Sequence, residues 1–140
     1  MKILIDTNIV IDALASREPW NESAEKIFLM AANNIVDMYI TASSATDIYY
    51  LIRKHLHNTE IAKQIMGKLY SLAGILEVKE EDLVEALASP IADYEDAVVE
   101  QVARRSDMEC IVTRNEKDYE AGLTQIFSPK DIIRFMEQEK

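Results

Sequence analysis

The chain has 140 residues, the size of one ordinary domain, with a net charge of −10 and a pI of about 4.6. So acidic a balance excludes a protein that simply coats nucleic acid, because neutralising phosphates takes Lys and Arg. Hydrophobic residues make up 49% and Gly and Pro number three each, so a compact chain rich in regular elements is expected, and no apolar run reaches the ~20 residues of a membrane span.

Residues 2–5 (KILI) are a short apolar run ending in Asp6, which predicts a buried strand with a carboxylate at its C-terminal end. Asp6, Asn8 and Asp12 interrupt the apolar N-terminus as a signal-peptide core would not, so a soluble cytoplasmic protein is expected. Asp6, Thr7 or Asn8 can cap a helix through IVIDALA that ends at Arg17-Glu18-Pro19, with Trp20 closing the connection. Ala24, Ile27, Phe28 and Ala31 recur at helical spacing across 21–33. DMYIT (37–41) predicts a second strand, and Thr41, Ser43 or Ser44 a cap for a helix through Ile48, Ile52 and Leu56.

Residues 59–72 predict the partner of that helix in a hairpin, with Ile61, Ile65, Leu69 and Leu72 on one stripe. ILEV (75–78) predicts a third strand, and 80–88 a helix stopped by Ser89-Pro90. ADYEDAVVE (92–100) opens a helix that runs to about Ser106. CIVT (110–113) and QIFS (125–128) predict the last strands, and Pro129 the start of the C-terminal helix through Ile132, Ile133, Phe135 and Met136. Alternating strands and helices predict a single α/β domain over 1–140, a parallel five-stranded sheet with helices on both faces. Cys110, within an apolar run, reads as a small buried core residue, and His55 and His57, two apart, as a solvated helix end.

Ligands of open parallel sheets bind beyond the C-terminal ends of the strands, so strand endings form a site map. The first strand ends at Asp6; the second ends at Thr41, with Asp47 following; the fourth ends at Thr113, followed by Arg114, Asn115 and Asp118. Asp93, Glu95 and Asp96 open the helix that feeds the fourth strand, and such a helix start would lie at the opposite edge if the helix spans the sheet's height. Position alone therefore does not bring Asp96 to this mouth. Carboxylates converging without His or Cys clusters suit a hard cation such as Mg²⁺ or Mn²⁺. Against that stand plainer readings: Asp6 as a helix cap, Asp47 as a solvated helix residue, Asp118 as loop polarity. Asp93 and Glu95 read most simply as charges at the positive end of a helix dipole.

ILIDTN at the N-terminus, an acid after the second strand, the helix DYEDAV and the segment IVTRNEKDY together resemble the PIN domain, the nuclease fold of VapC-type toxins. The resemblance covers nearly the whole chain. It implies an acidic pocket that binds Mg²⁺ or Mn²⁺ for RNA cleavage by metal-activated water, with Asp6 as the first family acid and Asp96 as the third. Asp47 stands where the family usually has Glu, one methylene longer, and Asn115 where a fourth acid often follows the Thr-Arg pair, with Asp118 nearby as its replacement. Thr7, Asn8 and Thr113 would be supporting hydrogen-bonding groups, and Arg114 a contact to phosphate.

These features lead to the expectation of a Mg²⁺- or Mn²⁺-dependent endoribonuclease with Asp6, Asp47, Asp96 and Asp118 at its centre, acting on RNA and paired with an antitoxin protein. The two departures motivate an alternative, a catalytically weak PIN scaffold that acts through protein or RNA binding. A phosphotransfer domain with Asp6 as acceptor is a third reading, but DTN lacks the second aspartate that one such hydrolase family carries two positions on. Phe28, Leu29, Met30, Tyr49, Tyr50, Leu51 and Met66 exceed what one core-facing stripe requires, which predicts a homodimer through the helices at 21–33 and 44–72.

Overall fold

The computed structural model describes residues 1–138. Five parallel strands, β1 (Lys2–Ile5), β2 (Asp37–Thr41), β3 (Gly74–Leu76), β4 (Cys110–Val112) and β5 (Ile126–Phe127), form one sheet in the order β3-β2-β1-β4-β5. β1 is central because it is apolar throughout and buried on both sides: Ile3 and Ile5 point to one face and Leu4 to the other, as the period of two demands. β4 splits likewise, with Cys110 and Val112 on the first face and Ile111 on the second. Burial pushes the Cys110 thiol up to about 12, so it stays a neutral core group.

Helices α1 (Thr7–Leu14), α2 (Asn21–Ala32), α3 (Ala42–Leu56), α4 (Thr59–Leu72) and α7 (Pro129–Gln138) build the core of the first face. Helices α5 (Glu80–Ala86) and α6 (Tyr94–Arg105) cover the second. α3 and α4 form the expected hairpin, turned by His57 in the left-handed region (φ 55°) and restarted by Asn58, whose side chain accepts from the Ile61 N–H at 3.0 Å. On the second face Arg105 grips the buried Asp82 through Nε and Nη2 at 2.8–3.0 Å, holding its carboxyl below the usual range and clamping α5 to α6.

Element boundaries differ modestly from expectation. The helix expected over 80–88 ends at Ala86, two residues earlier, and the strand expected over 75–78 occupies Gly74–Leu76. The fourth strand is Cys110–Val112 and the fifth Ile126–Phe127, each shorter than the apolar pattern suggested. A 3-10 turn at Glu116–Tyr119, unanticipated, follows β4. Gly74 has a specific reason to be glycine: a Cβ there would lie 2.7 Å from the ring of Tyr39, its register partner across β2 and β3.

One expectation is corrected outright. β1 and β4, the neighbours at which the strand order switches sides, run parallel, and α6 runs antiparallel to the β4 it feeds, as a crossover helix between parallel strands must. A helix that descends toward the start of its strand begins at the rim where the strands end. The start of α6 is therefore at the same mouth as Asp6, not at the opposite edge, and no displaced helix is needed.

Candidate active site

Asp6 follows β1 directly and caps α1: its Oδ1 accepts from the Thr7 N–H at 2.8 Å. Its own N–H donates to the Val112 carbonyl at 3.0 Å, so the residue is fastened to both central strands. From the end of β4 the Thr113 hydroxyl donates to Asp6 Oδ2 at 2.8 Å, and the Asn8 amide approaches the same oxygen at 3.5 Å. Burial raises the Asp6 pKa, against the hydrogen bonds from Thr113 and Thr7 that oppose the shift.

Asp96 sits in the first turn of α6, behind the cap made by Asp93, whose Oδ1 accepts from the Asp96 N–H at 3.0 Å. Its pKa is pushed up to about 6, first by burial and then by the charges of Asp6 and Asp93, with Asp118 adding to the repulsion. Asp118 rides on the exposed 3-10 turn and presses on Asp6 as well. Tyr119, the next residue, points inward, fully buried, and its hydroxyl donates to Asp96 Oδ1 at 3.2 Å. Burial and the two carboxylates push its phenol far up, so it acts here as a neutral donor.

These groups line a cleft of about 710 Å³ across the C-terminal edge of the sheet, with α1 and α3 on one side and α6 on the other. Asp47 lies on the α3 wall, exposed to solvent, and Asn115 and Asp118 lie at the β4 end. The structure thus gathers Asp6, Asp96 and Asp118 into one repelling group and places Asp47 in the same cleft. Asn115 stands at the rim, its backbone N–H bonded to the Thr113 hydroxyl at 3.1 Å.

Arg114 is not at the mouth to meet a phosphate. It donates to Asp12 through Nε at 2.6 Å and Nη2 at 3.2 Å, and its guanidinium stacks 4.0 Å from the Trp20 ring centroid. Asp12 is fully buried and also takes Arg17 Nε at 3.0 Å. Trp20 stands in the first helix connection, as expected, at the N-cap position of α2, and there also forms the platform under Arg114. Tyr119 and Asp12 are the two residues that the sequence reading missed. Tyr119 stood within the quoted IVTRNEKDY segment, and Asp12 was visible as the one acid inside an apolar helical run.

Among the described residues no three His, Cys, Asp or Glu side chains close into a ready metal cluster. The donor set still fits a hard, largely hydrated divalent cation, which typically takes one or two carboxylates and keeps its waters. Asp6 and Asp96 could hold it, with Asp118 at the rim. Asn8 Oδ1, buried beside Asp6 with no hydrogen-bond partner, is an acceptor available to such a cation or its water shell.

The model of the family described as the PIN domain matches residues 2–117. Among curated proteins, none matches the chain. The fold is similar to that of DNA-bound VapBC from Salmonella typhimurium (TM-score 0.70, 19% identity, covering 92% of this chain and 98% of that one). It is similar also to FitAcB from Neisseria gonorrhoeae (TM-score 0.69, 18% identity, 91% and 98% covered). A third likeness is to VapC20 from Mycobacterium tuberculosis, a sarcin–ricin loop cleaving toxin (TM-score 0.61, 13% identity, 78% and 86% covered). A match of the family model across most of the sequence, with this sheet order and this acidic mouth, places the chain in the PIN domain family.

Proposed function

We propose that this PIN domain is a Mg²⁺- or Mn²⁺-dependent endoribonuclease. The observation that carries the reading is the convergence of Asp6, Asp96 and Asp118 at the switch point of the sheet, where Asp118 raises the cost of ionising Asp6, and Asp6 and Asp118 that of Asp96. Such crowding is unfavourable for an empty pocket and favourable for one that receives positive charge. A bound cation there would supply Lewis-acid activation of water and stabilise the leaving oxygen of a phosphodiester.

The chain's own residues do the positioning. Thr7, Asn8 and Thr113 fix the rotamer of Asp6, and Tyr119 fixes that of Asp96. Asp118 and Asp47, both solvent-exposed, accept hydrogen bonds from water and orient it in the cleft. In hydrolysis a water oxygen bonds to phosphorus, the P–O bond to the leaving nucleoside breaks, and the departing oxygen takes up a proton. VapBC and toxin–antitoxin complexes among the similar folds support a protein partner for this chain, an antitoxin whose basic residues would complement the acidic cleft.

The test is RNA cleavage by purified protein with Mn²⁺ or Mg²⁺, compared with EDTA and with Asp6→Asn. Metal-dependent cleavage lost in Asp6→Asn supports the reading. A thermal melt supplies a second readout: Mn²⁺ raises the Tm of the parent and not of Asp6→Asn. The tethering of Arg114 and the absence of a closed three-acid cluster among the described residues favour a second reading, a PIN scaffold that binds partners and cleaves weakly. Parent protein that shows neither cleavage nor a Mn²⁺ shift would establish that one instead.

A further inference from the structure

We propose that the exposed end of α3 carries a docking groove for single-stranded RNA that continues the acidic cleft. The proposal rests on the nuclease reading for its substrate class, and on a separate set of residues for its evidence. Tyr50, Arg53, Lys54 and His57 line a second concavity, of about 420 Å³. Tyr50, Arg53 and Lys54 stand at i, i+3 and i+4, on one face of α3, and His57 follows in the left-handed turn that ends the helix. Tyr50 lines both this groove and the acidic cleft, and is 65% exposed. Asp47 lies on the same stripe one turn earlier, and at ~1.5 Å per residue Lys54 is about 10 Å further along the axis.

The arginines set this face apart. Arg17, Arg104, Arg105, Arg114 and Arg134 are each ion-paired to a carboxylate. Arg53 alone of the arginines has no carboxylate partner among the described residues; its Nε donates instead to the Thr59 hydroxyl at 2.8 Å, which holds it on the groove wall. Lys54 is exposed and likewise without an ion pair among the described residues. In a chain of net charge −10, two unneutralised cations beside an open aromatic ring form an unusual surface. A polyanion with stackable bases matches it: phosphates meet Arg53 and Lys54, and a base stacks on Tyr50. An acidic protein segment would use the cations and leave the ring without a role.

The test measures fluorescence anisotropy of a labelled oligouridylate of about 12 nucleotides at a series of salt concentrations in EDTA, so that no cleavage intervenes. The parent should bind. Arg53→Ala/Lys54→Ala should lower the slope of log K against log salt by about 1.4, the value for two single-strand phosphates. Tyr50→Ala should weaken binding roughly 5- to 150-fold, and Tyr50→Phe should restore it. No binding by the parent, unchanged slope and affinity in the variants, or displacement of the RNA by polyglutamate at equal charge would overturn the groove. Failure of the nuclease reading looks different. Groove-dependent binding with no Mn²⁺-dependent cleavage removes the nuclease and keeps the groove, whereas cleavage with unaltered variants does the reverse.

Discussion

Asp96 is the residue whose chemistry is most sensitive to its surroundings. Its pKa rises from 3.8 to about 6, so the native state binds a proton more tightly than the unfolded chain does. Stability is then fully retained below the unfolded value and is lost as pH rises through the folded one. Asp96→Asn keeps an oxygen for the Tyr119 hydroxyl and removes the charge. It should therefore match the parent near pH 4 and exceed it at pH 7 by about 1 kcal/mol, the partial exposure of the carboxylate limiting the gain. Urea unfolding across that pH range measures it, and a constant difference at all pH values would contradict the account. Added Mn²⁺ should narrow the gap, since only the parent gains from it. That Asp96 faces the cleft could be read from its place before the apolar AVV run. The burial of Asp12 could not, because only one of its two arginine partners, Arg17, is near in sequence, and the bidentate one, Arg114, lies 102 positions away. Tyr119 was equally opaque: a 3-10 turn of four residues carries no periodic signature to show which side chain turns in.

At the level of elements, the strands announced themselves because a parallel strand buried on both faces is an unbroken apolar run, as KILI and CIV are. Their ends were less legible, since hydrogen bonding to a neighbour rather than hydrophobicity decides where a ladder stops. β3 illustrates this. Val78 packs against the second-face core although the strand has ended at Leu76, and Gly74 is included for its lack of a side chain. Gly74→Ala would press a methyl against the Tyr39 ring and should destabilise the fold by about 1–3 kcal/mol. Tyr39→Leu in the same chain should recover part of that loss, so a double-mutant cycle in urea reads the clash directly. Additive losses would show that the cost does not arise from this contact.

For the molecule as a whole, the apolar surplus expected on helices 21–33 and 44–72 is divided. Met30 and Met66 enter the core, while Leu29, Tyr50 and Leu51 remain exposed. A further apolar exposure lies on α5 and just after it, where Val84 is 61% and Leu87 75% exposed, next to Leu83 on the cleft wall. A homodimer remains our proposal, now through this surface, which would set two clefts beside one symmetric contact and leave the Tyr50 groove open. Light scattering over a concentration series should report a dimer in the parent and a monomer in Val84→Asp/Leu87→Asp. A parent that stays monomeric at high micromolar concentration would remove the dimer.

The fastening of Asp6 to both central strands has a kinetic meaning. Its amide proton is engaged by the Val112 carbonyl between the two central strands, and that of the fully buried Thr113 by the Phe127 carbonyl of β5 at 3.0 Å. Amides of that kind exchange with solvent only when the whole domain opens, whereas the 3-10 turn carrying Asp118 is exposed and can open by itself. The two halves of the acidic centre therefore belong to different clocks. Hydrogen exchange should find Asp6 and Thr113 among the slowest amides and Asp118 among the fast ones. Sublethal denaturant should then loosen the rim long before the Asp6 anchor yields.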